Sequence, residues 1–334
     1  MSGDVFVLGA GFSKAVDSEM PLLRELGKEV VERLGEDRPY VPPGLDPVDF
    51  ENWLSYLAED EPWLLPEQQF QNKSGFVRIS RVISDIITER ENAAKSRSIP
   101  EWLRSLISFW HESKASIITF NYDRLIESAY EETVHTNADY GINARQIVTA
   151  PVTPVGSRGG GVFSPDLVET FTLTKLHGSR SWIYSGRDSF YGEPIYDLVG
   201  KRLGWSAEEP SRRDMLLSAD KVPLVIPPTT GKSGFFNNET VRFQWAEALR
   251  ALRSVDTVYF VGYSFPPSDT MIRFLLQDSH HAGRKIVIVN REIAAQDALR
   301  KFCSFGQYWR SDCRPYLRGR ACWATPAKHK YSRS

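Results

Sequence analysis

The sequence predicts an α/β protein built on a parallel sheet, and three observations carry that expectation. First, Val5-Phe6-Val7-Leu8 is a continuous apolar run that opens directly into Gly9-Ala10-Gly11-Phe12-Ser13. A short run that is apolar on every side suits a strand buried on both faces. Second, similar runs at Ala115–Phe120, Thr257–Val261 and Lys285–Val289 end in polar or glycine residues and lead into helical spacing. That alternation builds parallel sheets with helices on their faces. Third, the first run, its glycine turn and a following helix form a recipe for holding a pyrophosphate at a helix N-terminus. The expected fold is therefore Rossmann-like. Lys14 stands where the third glycine of the dinucleotide fingerprint would fall, so a plain strand-to-helix turn remains an alternative.

Taken in order, Leu23, Leu26, Val30 and Leu34 recur at helical spacing, so a helix is expected behind the glycine turn. The proline-rich segment Pro39–Pro47 breaks regular structure. Three amphipathic helices follow: one at Phe50, Trp53, Leu54 and Leu57, a longer one through Phe76, Ile79, Val82, Ile83, Ile86 and Ile87, and a third at Trp102, Leu103, Leu106, Ile107 and Trp110. Residues about 36–113 thus read as a helical insertion, serving as a cap, a scaffold or an oligomer surface. The Ala115–Phe120 strand ends in Asn121-Tyr122-Asp123, with Asp123 placed to cap the next helix. Residues 152–166 read as a loop, and Glu169–Leu176 as a strand running into His177-Gly178-Ser179. Residues 186–220 read as loops and short strands, Val222–Ile226 as a strand, and 229–240 as a flexible flap. Trp245, Leu249 and Leu252 mark a helix. After Thr257–Val261 comes Gly262-Tyr263-Ser264-Phe265-Pro266-Pro267-Ser268-Asp269, where Ser268 or Asp269 can cap a helix. The last strand ends at Asn290, with a helix after it.

The 334 residues, 41% hydrophobic and 25% charged, suit one large globular domain or two ordinary ones. A net charge of −1 gives no overall field favouring nucleic acid or an anionic membrane. No apolar run approaches the length of a membrane span, and no signal peptide is visible. The three widely spaced cysteines, Cys303, Cys313 and Cys322, fit a reducing, cytoplasmic setting and show no paired zinc-ligand spacing, so no metal is expected. One catalytic domain is expected over 1–300, with a basic segment at 301–334. From Arg310 onward that segment holds seven Lys/Arg against one acid, a solvated tail that could also contact a partner or nucleic acid.

Four pieces stand in order: Gly9-Ala10-Gly11-Phe12-Ser13, Asn121-Tyr122-Asp123, Leu176-His177-Gly178-Ser179 and Gly262-Tyr263-Ser264. As a set, spanning about 5–300, they resemble the sirtuin superfamily. Thr119-Phe120-Asn121-Tyr122-Asp123, Lys175-Leu176-His177-Gly178-Ser179 and Gly262-Tyr263-Ser264-Phe265-Pro266 are similar to its bacterial antiphage-defence branch. Two departures set the chain apart from the protein deacylases. Met20-Pro21-Leu22 stands where those carry Ile-Pro-Asp-Phe-Arg, and there is no four-cysteine module.

The resemblance implies a sirtuin-like fold and an NAD glycohydrolase acting in abortive infection. NAD is then the substrate, cleaved between nicotinamide and ribose through an oxocarbenium-like sugar. Asn121 would hold the ribose or a water, His177 would accept a proton, and Asp123 would order the Asn121 loop or favour the cation. Gly9, Ala10, Gly11 and Ser13 would take the pyrophosphate with Gly262 and Ser264, and Asn290 the adenosine ribose. Phe12 would wall the nicotinamide pocket or simply pack the core. The resemblance also implies a homo-oligomer and an activating partner, such as an ATPase, an Argonaute-like protein or a phage-derived protein. NAD-dependent deacylation or ADP-ribosyl transfer, and a non-catalytic NAD or ADP-ribose sensor, are the alternatives.

Overall fold

The computed structural model describes residues 4–48, 50–134, 152–154, 170–186, 194–198, 205, 216, 218–226, 234–267, 269–280 and 283–305. In chain order, the first strand-helix unit is β1 (Val5–Leu8), α1 (Ala10–Val16) and α2 (Leu23–Leu34). The inserted helices are α3 (Phe50–Ala58), α4 (Pro66–Lys95) and α5 (Glu101–Ser113), followed by β2 (Ser116–Thr119) and α6 (Leu125–Thr133). Then come β3 (Val152–Pro154), β4 (Thr172–Lys175), β5 (Gly178–Tyr184), β6 (Ile195–Asp197) and β7 (Val222–Val225). The chain closes with α7 (Glu239–Arg253), β8 (Thr257–Val261), α8 (Thr270–Asp278), β9 (Lys285–Val289) and α9 (Ile293–Phe305).

Among the described residues five strands form a parallel sheet in the order β4-β2-β1-β8-β9. The chain steps outward from β1 to β2 and β4, then returns to the other side of β1 with β8 and β9. The strand order therefore reverses between β1 and β8. In open parallel sheets such a switch point, beyond the strands' carboxyl ends, is where ligands commonly bind.

Strand alternation sorts the core. Phe6 and Leu8 of β1 face a cluster with Leu103, Leu106, Ile107 and Trp110 of α5 and Leu125, Ile126 and Tyr130 of α6. Val5 and Val7 face the opposite cluster, with Ala248 and Leu252 of α7 and Ile272 and Leu276 of α8. Successive residues of a strand point to opposite faces, so an all-apolar run can serve two helical layers at once.

The insertion is not one layer. Helix α5 packs on the main sheet, while α2, α3 and α4 share a third cluster with Trp182, Tyr184, Leu224 and Val225 of β5 and β7. Those strands belong to a second sheet, ordered β3-β6-β5-β7, in which β5 pairs antiparallel with β6 and β7. Of its four strands, β7 falls on the expected Val222–Ile226 strand and β6 among the loops and short strands expected over 186–220, whereas β3 lies where the sequence predicts a loop and β5 is not anticipated.

Three expectations need correction. The helix directly behind the glycine turn is the short α1; the Leu23–Leu34 helix is a separate element beyond Met20-Pro21. Helix α1 has seven residues and buries Phe12, Ser13 and Val16, too few to show a period. The flap expectation also fails where the chain is described: Phe235–Asn237 form a 3-10 turn with Phe235 buried. Asn238 then caps α7, its side chain accepting from Thr240 and Val241. Asp269 holds the N-cap position of α8 but makes no side-chain cap bond. The Gly159–Gly161 run and the basic segment from Arg310 lie outside the described residues.

The switch point depends on close backbone approach. The Gly9 N–H donates to the Val261 carbonyl at 3.1 Å and the Gly11 N–H to the Gly262 carbonyl at 2.9 Å. A Cβ on Gly262 would lie 2.3 Å from the Phe12 nitrogen and 2.4 Å from the Gly11 carbonyl carbon, and Gly262 has φ +61°. Gly262→Ala therefore combines a left-handed backbone penalty with a steric one, and should cost about 2–4 kcal/mol in urea unfolding. Gly35→Ala, at φ +52° with nothing within 4 Å of its Cβ position, should cost clearly less. Equal losses in the two variants would show that close approach is not what requires glycine at 262.

Candidate functional site

The carboxyl ends of β1, β2, β4 and β8 gather most of the residues singled out above. Asn121 follows β2 and is half-buried. Its Nδ2 donates to the Gly9 carbonyl at 3.0 Å and to the Ser13 hydroxyl at 2.8 Å. A carbonyl only accepts, so the atom facing Gly9 must be the nitrogen. The amide's orientation is thereby fixed. Its Oδ1 accepts no hydrogen bond among the described residues.

The chain of bonds continues inward. The Ser13 hydroxyl donates to Asp123 Oδ2 at 2.6 Å, and Asp123 Oδ1 accepts the Leu125 N–H at 3.1 Å. Arg124, not Asp123, occupies the N-cap position of α6, yet Asp123 still satisfies the first amide of that helix. Burial pushes the Asp123 carboxyl up, against the opposing pull of Lys175 and of the Ser13 hydrogen bond. Lys175 Nζ donates to the Asp123 carbonyl at 2.6 Å and to Glu127 at 2.8 Å.

The glycine elbow is well bonded. The Gly9, Gly11 and Phe12 amides all donate within the protein, while the Ala10 N–H, the first of α1, meets no acceptor among the described residues. The Ser13 proton is committed to Asp123. Phe12 is 2% exposed and packs edge-on against Trp102 and beside Trp110, which is the core-packing alternative. Ser264 is exposed on the loop after β8. Asn290 ties β9 to that loop: its Nδ2 donates to the Tyr263 carbonyl at 2.9 Å, and its Oδ1 accepts the Glu292 N–H.

His177 follows β4 and is 3% exposed. Its ring lies 5.0 Å from that of Phe120, which stacks on Tyr263 at 4.6 Å. Its carbonyl accepts the Ile226 N–H. The structure thus brings Asn121, Ser13, Asp123 and the elbow into one bonded unit. His177 belongs to the adjoining aromatic cluster with Phe120 and Tyr263.

Sequence reasoning missed a buried ionic cluster under the Asn121 loop. Glu91 of α4 is fully buried; it accepts two bonds from Arg180, at 2.7 Å each, and pairs with Lys95 at 2.6 Å. It also accepts the Arg124 N–H at 2.9 Å, and the Arg180 N–H donates to the Tyr122 carbonyl at 2.8 Å. One carboxylate thus supports both sides of the loop carrying Asn121. A signal for it existed: Ile79, Ile83 and Ile87 fall at four-residue steps, and Glu91 and Lys95 continue that line. Charged residues on the core stripe of a helix must be paired.

The fold and the strand-edge site define an α/β protein whose candidate residues gather at the carboxyl ends of a parallel sheet, beside its switch point. Residues 115–304, more than half of the chain, match the SIR2-like domain family, and the chain belongs to that family. Asn121, Asp123, His177, Gly262, Ser264 and Asn290 lie inside the matched span; the Gly9 elbow precedes it. No curated protein matches the sequence. Among solved structures, one concerned with the mechanism and regulation of Sir2 enzymes is 15% identical, with 90% of each chain covered and a TM-score of 0.37. Sir2Tm bound to a propionylated peptide is 14% identical, covering 91% of this chain and 93% of that one, with a TM-score of 0.38. A mutant Sir2 homologue in complex with ADP-ribose is 11% identical at the same coverages, with a TM-score of 0.38. Family membership points to NAD as the ligand and to an NAD-consuming enzyme. Among the described residues no helix is long and apolar enough to cross a membrane.

The Glu91 cluster has a pH signature. Burial alone would raise its carboxyl, but the Arg180 and Lys95 charges and the Arg180 hydrogen bonds hold it well below the usual carboxylate range. A folded value below the unfolded one contributes stability in full above about pH 4.5, and that contribution fades as pH falls toward the folded value. Glu91→Gln should cost about 3–5 kcal/mol at pH 7 in urea unfolding. The gap to the wild type should narrow below about pH 4.5. A gap independent of pH would show that the lost term is packing, not charge.

Proposed function

We propose that this protein is an NAD glycohydrolase, cleaving NAD with water to nicotinamide, ADP-ribose and a proton, and that it serves as an antiphage effector in abortive infection. The observation that carries the reading is the Asn121 amide. Its nitrogen is spent on Gly9 and Ser13, and among the described residues its oxygen is left as an acceptor. That leaves a fixed acceptor able to orient a ribose hydroxyl or a water, while the ribose–nicotinamide bond lengthens toward an oxocarbenium-like state.

In this reading the Ala10 N–H and the exposed Ser264 hydroxyl meet the pyrophosphate at the Gly9–Gly11–Gly262 contact. Asn290 borders the adenosine ribose. His177 takes the proton released by the attacking water or by a ribose hydroxyl. Nicotinamide leaves as a neutral ring and requires no acid. Asp123, bonded to Ser13 and Leu125, keeps the Asn121 loop in place.

Burial of the imidazole supports control of turnover by an activating event, through homo-oligomer assembly or a partner protein, since a 3% exposed base is closed to a sugar. Such control suits an enzyme that would otherwise deplete the NAD of its own cell.

Nicotinamide release should be measured from the purified chain and from cells under phage challenge. His177→Ala and Asn121→Ala should each reduce NAD turnover by at least about 100-fold while still unfolding cooperatively, at a lowered melting temperature that leaves the chain folded under the assay. Turnover retained in both variants would overturn the proposal. Tight NAD binding without turnover under any challenge would favour the sensor.

A further inference from the structure

Asp269 is 0% exposed, and it stands at the N-cap position of α8 without capping it. A buried carboxylate that gives up a helix end must be stabilised elsewhere. Its Oδ2 accepts the Tyr263 hydroxyl at 3.1 Å and lies 3.7 Å from His177 Nε2. His177 follows β4 and Asp269 belongs to the loop after β8, three positions away in the sheet, or roughly 14 Å at ordinary strand spacing. The loop crosses that distance through two positive-φ residues, Gly262 at +61° and Phe265 at +54°. A bulky residue rarely adopts such a backbone. Arg273 holds the turn, its guanidinium 4.0 Å over the Phe265 ring and bonded to the Phe265 carbonyl.

We propose that Asp269 is the positioning residue of the His177 base, with its carboxylate fixing the Nε2 edge of the imidazole. The proposal rests on the reading of His177 as the base in NAD hydrolysis. A separation of 3.7 Å is an ion-pair contact, too long for a hydrogen bond. The gain therefore comes when the ring carries a charge, and the ring acquires that charge on taking a proton. A carboxylate at Nε2 favours the tautomer with its hydrogen there and leaves Nδ1 as the basic nitrogen. In the step itself the ribose–nicotinamide bond breaks with its electron pair going to the pyridine nitrogen, the water oxygen bonds the ribose carbon, and the water's proton passes to Nδ1. Tyr263, bonded to the same carboxylate oxygen and stacked on Phe120, keeps the acid turned toward the ring.

The test uses the full chain and two readouts: kcat and KM for NAD across pH, and titration of the His177 imidazole by NMR, assigned by its absence in His177→Ala. The described groups that bear on that titration include the Asp269 carboxylate and, behind it, the Tyr263 hydroxyl; Phe120 offers a neutral ring. Asp269→Asn should lower kcat roughly 10- to 100-fold with KM within about threefold. The imidazole should lose its proton at a pH about one unit lower. Asp269→Glu should recover part of both. Tyr263→Phe should fall between and serves if Asp269→Asn fails to fold. A folded Asp269→Asn with wild-type titration and kcat overturns the proposal, and unchanged titration does so even where turnover is not observed. Full turnover in His177→Ala instead overturns the base assignment, whatever the His177–Asp269 contact does to the titration.

Discussion

The structure turns on one amide. Asn121 Nδ2 joins the end of β2 to the end of β1 through the Gly9 carbonyl, and to α1 through Ser13. Each partner is then constrained in turn. Ser13, having accepted from Asn121, gives its proton to Asp123, and Asp123 takes the first amide of α6. The polar atoms in this chain are nearly all committed, as buried groups must be when desolvation costs more than a hydrogen bond returns. Among the described residues the Asn121 carbonyl oxygen is left without a donor, and that matters because the groups bonded to its amide are fixed.

That rigidity is underwritten by charge. Glu91, Arg180, Lys95, Lys175, Glu127 and Asp123 are all buried within or beside the loop. An apolar core of equal volume would often be as stable or more so. What ions offer here is direction: the bidentate Arg180–Glu91 pair and the amides of Arg124 and Arg180 define where the 121–124 backbone runs. Hydrocarbon packing constrains volume without fixing two peptide planes. The cluster also joins α4 to the site, so the outer helices and the Asn121 loop are held by the same carboxylate.

How much of this was legible follows from the physics of each signal. The parallel strands could be read because burial on both faces leaves unbroken apolar runs, and α3, α4 and α5 because their stripes repeat over several turns. Helix α1 was hidden because seven residues bearing two glycine-flanked apolar positions show no period. In the second sheet β7 was legible as a strand, but β3 and β6 were not, because three residues cannot establish alternation. At the site, Asn121, Asp123 and His177 were visible as polar residues at strand ends. Glu91 was legible in principle, as a charge on an isoleucine line. Asp269 was not: its position reads as a cap, and only the fold shows the side chain turning the other way.

The two halves of the candidate site are held by different means. The β1–β2 side is fixed by hydrogen bonds and buried ions that leave little slack. The β8 side is a loop of two positive-φ residues, one of them phenylalanine, clamped by the partly buried Arg273. Such a backbone stores on the order of 1–3 kcal/mol and persists only while its surroundings enforce it. His177 lies against Phe120, which stacks on Tyr263 of that loop. Moving either half has a cost: displacing the Asn121 loop would strand the Glu91 cluster, and relaxing the Tyr263–Phe265 turn would take the Tyr263 hydroxyl from the buried Asp269 carboxylate. The acceptor is thus anchored by the rigid half, whereas the imidazole depends on Asp269 and Tyr263 of the strained half, so its geometry is set by the loop that would have to move.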